Sequence, residues 1–81
     1  MRDKGNPAPT GPRILAAREC TGLTQREFAT RAELDWHAYW RYEAGRTVPG
    51  IGPLAQIARA AGVRMEWLAT GDGPMREDSA A

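Results

Sequence analysis

Few side chains in this sequence could carry covalent or metal chemistry. Its 81 residues include one cysteine, Cys20, one histidine, His37, and one serine, Ser79, two residues from the end. An intramolecular disulfide and a Cys/His zinc quartet are therefore excluded. A serine so near the chain end has no positioned base to activate it. With no assembled nucleophile, base or metal set, the expectation is a protein that is not an enzyme and takes no cofactor or metal. His37 reads either as a groove or phosphate contact or as a plain exposed side chain. Cys20 reads as a small packing residue. The chemistry that remains is arginine's: ten of the eleven cations are arginine, a planar fork of donors suited to phosphate oxygens and guanine edges. Residues 1–64 hold ten basic and six acidic groups, and residues 65–81 hold one and four. That bias is compatible with nucleic acid as a partner.

A chain of this length forms one small domain that buries only about 60% of its unfolded surface. Fourteen residues are alanine, and Leu, Ile, Val and Phe together number eleven. With a formal net charge of +1, that composition points to short helices packed closely rather than to disorder. No apolar run approaches the ~18 residues of a membrane span, and no signal peptide opens the chain. The expectation is a cytoplasmic, soluble protein with no membrane partner.

Punctuation marks out an all-α organisation of five short helices between two flexible ends. Residues 1–11, rich in proline and glycine, read as a flexible N-terminal arm, in which Arg2 and Lys4 could reach along DNA. Residues 12–71 form the folded domain, and residues 72–81 read as a flexible C-terminal tail. The first helix is expected from Pro12 to Thr21, before Gly22. Thr24-Gln25-Arg26-Glu27 is a capping box that opens a second helix ending near Ala32, with Phe28, Ala29 and Ala32 inward. After the turn Glu33-Leu34-Asp35, Asp35 caps a third helix from Trp36 to Ala44, ended by Gly45. Gly52-Pro53 opens a fourth, whose Leu54, Ile57, Ala58 and Ala61 share one face. Met65 to Thr70 forms the fifth.

Helix, tight turn, helix lets the second helix of the pair enter a major groove. From about Arg13 to Gly71 the chain resembles the helix-turn-helix domains of lambdoid phage repressors and Cro proteins, the XRE-type regulators. The resemblance rests on Arg13-Ile14, Arg18, Gly22-Leu23-Thr24-Gln25, Phe28-Ala29, Glu43-Ala44-Gly45-Arg46, Pro49, Leu54, Ile57-Ala58, Gly62-Val63 and Trp67-Leu68. The spacing from Leu23 to Gly45 fits without a gap. What it implies is a five-helix, lambda-repressor-like fold that binds operator DNA and regulates transcription, as a phage- or prophage-type repressor and as a homodimer. Gln25 matches a phosphate-binding glutamine. Trp36, His37 and Arg41 match base-reading positions, and Trp40 shares their exposed face. Arg46 and Thr47 match backbone-contacting positions, and Arg18 and Glu43 match a buried ion pair. Tyr39 and Tyr42 match inward positions. No large dimerisation domain follows Gly71, so a small dimer contact is expected at Val63, Met65, Trp67 and Leu68.

Four positions depart from the family pattern. Glu33 stands where glycine is usual, at a left-handed cost of order 1 kcal/mol. Asp35 replaces the usual Ser or Thr cap. Trp36 and Trp40 stand where small polar residues are usual. Trp36 is expected on the DNA-facing surface, although partner contact and simple packing remain open for both tryptophans. The competing class is a protein-interaction module on the same scaffold, such as an antitoxin that binds a toxin and represses its own operon.

Overall fold

The computed structural model describes residues 10–77. Arg2, Lys4 and Ser79 lie outside the described residues. The chain forms five helices: α1 (Thr10–Thr21), α2 (Gln25–Ala32), α3 (Trp36–Ala44), α4 (Ile51–Ala61) and α5 (Met65–Thr70). The all-α expectation holds, and the bounds of α2, α3 and α5 agree with those read from the sequence. No strand is present among the described residues.

The core is built from one or two large side chains per helix. Ile14 of α1, Phe28 of α2, Tyr39 of α3, Ile57 of α4 and Leu68 of α5 are fully buried, with Ala17, Ala29, Ala32, Ala58 and Ala61 filling the close approaches between them. The abundance of alanine is thus explained: short helices bring their axes together where a methyl is the largest group that fits. Phe28 and Tyr39 meet with ring centroids 5.3 Å apart and tilted planes, which joins α2 to α3.

Polar side chains tie the helix ends. Arg13 donates from Nε to the Leu68 carbonyl and from Nη2 to the Ala69 carbonyl, both at 2.9 Å, satisfying the end of α5 from α1. Gln56 Nε2 donates to the Ala32 carbonyl at 3.0 Å, doing the same for α2 from α4. The α2 start is the expected capping box: Glu27 N donates to Thr24 Oγ1 at 3.1 Å and Thr24 N to Glu27 Oε1 at 2.9 Å. At the other end Glu33 adopts φ 61°, ψ 40°. There Leu34 N donates to the Ala29 carbonyl at 2.9 Å and Glu33 N to the Thr30 carbonyl at 3.1 Å, a Schellman closure without its usual glycine.

Three boundaries differ from the sequence reading. α1 begins at Thr10, not Pro12, so Gly11 belongs to the helix rather than to the arm. Its reason is contact: a Cβ on Gly11 would lie 2.8 Å from the Glu43 carbonyl oxygen and 3.1 Å from Gly45 N, so the start of α1 rests on the end of α3. α4 begins at Ile51 with Gly50 as its cap, ahead of the Gly-Pro signal. Residues 72–77 are not a free tail. Arg64 N donates to the Met75 carbonyl at 2.7 Å, Arg64 Nη1 reaches the Pro74 carbonyl at 3.1 Å, and Met75 packs against the core. The tail reading failed there because a backbone pairing to Arg64 has no signature in composition.

Candidate nucleic-acid interface

A helix that reads a groove must be held rigidly from behind, and α3 is held by Glu43. Arg18 of α1 donates Nε to Glu43 Oε2 at 2.8 Å and Nη2 to Glu43 Oε1 at 3.2 Å. The same guanidinium reaches the Leu23 carbonyl at 2.9 Å. Gln25 Nε2 donates to Glu43 Oε1 at 2.7 Å, and the Tyr39 hydroxyl donates to Glu43 Oε2 in a short bond. One carboxylate therefore ties α1, α2 and α3 together. Burial alone would push the Glu43 carboxyl up, but hydrogen bonds from Arg18, Tyr39 and Gln25 outweigh it and hold its pKa below the usual value. The bond to Glu43 raises Arg18, against a smaller opposing effect of burial. Burial, then the hydrogen bond to Glu43 and that carboxylate's charge, pushes the Tyr39 phenol well above its ordinary value. The predicted Arg18–Glu43 pair is present and forms the centre of a larger cluster.

With Tyr39 facing inward, the opposite side of α3 is left to solvent. His37, Trp40, Arg41 and Ala44 are all exposed, at the i, i+3, i+4 and i+7 spacing of a single helical stripe. Asp35 caps the helix, accepting from Ala38 N at 3.1 Å. His37 Nδ1 lies 3.8 Å from Asp35 Oδ2. Arg41 has no carboxylate within ion-pair distance among the described residues. Arg46 and Thr47 are exposed in the loop that follows. Gln25 is half-buried and uses one amide N–H on Glu43, which leaves a second donor on the same nitrogen.

Trp36 does not take the outward place expected of it. It is half-buried and packs against the core, because it opens α3 at the corner where the helix leaves α2. Its Nε1 is buried without a hydrogen-bond partner among the described residues. The Arg26 guanidinium lies over its ring, 4.6 Å from the centroid, and the His37 ring meets it edge-on at 4.9 Å. Trp40 is 40% exposed, with the Arg46 guanidinium 5.5 Å from its ring centroid. Sequence reasoning missed Arg26 as a member of this surface. Its partner lies across a turn, and helical periodicity carries no signal for that pairing.

The set expected to form a dimer contact is smaller than the sequence suggested. Leu68 is fully buried and Val63 is 8% exposed; both are committed to the core and offer a second chain little or no surface. Met65 and Trp67 are half-buried. Among the described residues no helix is long and apolar enough to cross a membrane, and no group of three or more His, Cys, Asp or Glu side chains converges.

A capped α2, a three-residue turn and a braced α3 with a polar, arginine-bearing outer face define a helix-turn-helix DNA-binding domain of XRE/Cro-like type. The chain belongs to the helix-turn-helix domain family, matching its pattern over residues 11–70. It is also similar to multiprotein-bridging factor 1 of Candida albicans, at 40% identity over 55 residues, which is 68% of this chain and 36% of that protein. The chain thus spans about a third of the length of this curated relative. No solved structure matches it.

Proposed function

We propose that this protein is a sequence-specific transcriptional regulator that lays α3 in the major groove of an operator and represses from it, as phage- and prophage-type regulators do. The observation that supports this reading is the stripe His37, Trp40 and Arg41, exposed on a helix whose inner face is locked by Glu43. Arg41 offers a fork to guanine O6 and N7, and His37 a ring nitrogen to a base edge or phosphate. Gln25, Arg46 and Thr47 contact the sugar-phosphate backbone and set the register. The protein acts by binding, without catalysis or cofactor. It works as a homodimer on two half-sites about one helical turn apart, with Met65 and Trp67 in the contact between copies.

Random-site selection with the purified protein tests this. The expected product is a pair of inverted half-sites with centres about 10 base pairs apart, bound with strong salt dependence. Failure to enrich any sequence would overturn the reading. A second reading, binding to another protein, is favoured by Trp40, Val48 at 71% and Ile51 at 81% exposure, apolar groups open to solvent beside α3. Salt-insensitive binding to one protein, with no selected DNA, is its expected signature.

A further inference from the structure

Both tryptophans at the unusual positions of α3 lie beneath an arginine supplied by a neighbouring element. Arg26 belongs to the first turn of α2 and lies over Trp36 at the start of α3. Arg46 follows the end of α3 and lies over Trp40. The two rings lie about one turn apart on α3, roughly 6 Å along its axis, and the two arginines reach them from different elements, α2 and the loop after α3. Among the described residues neither has a carboxylate within ion-pair distance.

That mode of holding matters. An arginine in an ion pair loses donors and charge to its partner, as Arg18 does to Glu43. An arginine held over an aromatic ring keeps its charge and spends no N–H group on a carboxylate. It is also partly ordered before it meets a ligand, so less freedom is lost on binding. What such a group suits is a phosphate at the groove wall, approached edge-on.

We propose that Trp36 and Trp40 are positioning residues, which hold Arg26 and Arg46 as phosphate clamps beside α3 and leave base reading to His37 and Arg41. This rests on the DNA-binding reading above. It adds Arg26, to which the resemblance gives no role, and replaces the base-reading role that the resemblance implies for Trp36.

The experiment is a salt titration of binding to the selected operator and to random duplex, for wild type, Arg26→Ala, Trp36→Ala, Trp36→Phe and the double variant R26A/W36A. Arg26→Ala is expected to weaken both complexes about five- to tenfold and to lower the salt slope by about 1, with the ratio of specific to random binding unchanged. Trp36→Ala should move in the same direction by about two- to fivefold, and the double variant should lose no more than Arg26→Ala alone. Trp36→Phe keeps a ring face beneath the guanidinium and should keep the wild-type slope. The same cycle at Trp40 and Arg46 should repeat the pattern. Because Trp36→Ala also removes packing, Arg26→Ala, at an exposed residue, carries the test independently of folding. Arg26→Ala with an unchanged slope, or Trp36→Ala that shifts base preference while keeping the slope, would overturn the proposal and leave the DNA-binding reading standing. A wild type that binds DNA without salt dependence would instead overturn that reading itself.

Discussion

Arg18 and Arg26 carry the same guanidinium on adjacent helices and are used in opposite ways. Arg18 is 16% exposed at its side chain against a Glu43 that is 6% exposed, and its donors are consumed by that carboxylate and the Leu23 carbonyl. Arg26 is exposed and rests on a ring. The difference teaches where this small domain keeps its stability and where it keeps its recognition. Buried charge is spent on fixing α3, and exposed charge stays available to a partner. Substitutions on the two sides should therefore separate cleanly into folding defects and binding defects.

The largest effect is expected at Arg18→Ala. It leaves Glu43 buried without its cation, at a cost of about 3 kcal/mol, the low end of the range because Arg18 keeps some exposure. That is over half of the ~5 kcal/mol available to a domain this small. Thermal or urea unfolding should show a large loss of stability; a variant that melts like wild type yet fails to bind DNA would break the division between the two arginines. Gly11→Ala comes next, at about 1–3 kcal/mol. Alanine is the better helix former by up to ~1 kcal/mol, but its methyl would meet backbone of α3 that has no flexible side chain to give way. Urea unfolding that showed a gain would mean that propensity outweighs contact at this seam.

The buried cluster also sets a pH dependence. The folded Glu43 pKa lies below its ordinary value, so the folded state holds the proton less tightly than the unfolded chain. The stability this gives is present above the unfolded carboxylate pKa of about 4.3 and is lost as pH falls through the lower folded value. Unfolding midpoints should fall on acidification through that window, and Glu43→Gln should flatten the slope there. Tyr39 has the opposite sign: its raised pKa gives stability present below about pH 10 that disappears as pH rises through the folded value. The smallest effect is Glu33→Gly, which relieves a left-handed residue but frees the unfolded chain, for a net gain of about 0.5 kcal/mol. Chemical denaturation that showed a loss would mean the Glu33 side chain contributes more than its backbone costs.

Much of this was legible because the signals are local. The Thr24–Glu27 box, the Asp35 cap and the glycine after Ala44 fix α2 and α3 within a few residues of chain, and the i, i+3, i+4, i+7 spacing of Leu54, Ile57, Ala58 and Ala61 fixes the face of α4. The Arg18–Glu43 pair was legible only through the resemblance, since nothing in composition joins residues on α1 and α3. Three features stayed hidden because they depend on approach between distant segments. Gly11 reads as a loop breaker until the end of α3 is seen against it. Residues 72–77 read as a tail until Arg64 pairs with Met75. Trp36 reads as outward by elimination, since Tyr39 and Tyr42 claim the inner face; in the structure it is partly buried and packs against the core edge.

The central claim, that α3 reads bases through its outward arginine, is tested most directly at Arg41. Binding of Arg41→Ala to the selected operator and to random duplex, measured side by side at one salt concentration, separates reading from attraction. The account predicts a loss of about 1–3 kcal/mol on the operator, a much smaller loss on random DNA, and relaxed preference at one or two base positions. An equal loss on both duplexes, with base preference unchanged, would make Arg41 a phosphate contact and would contradict the claim.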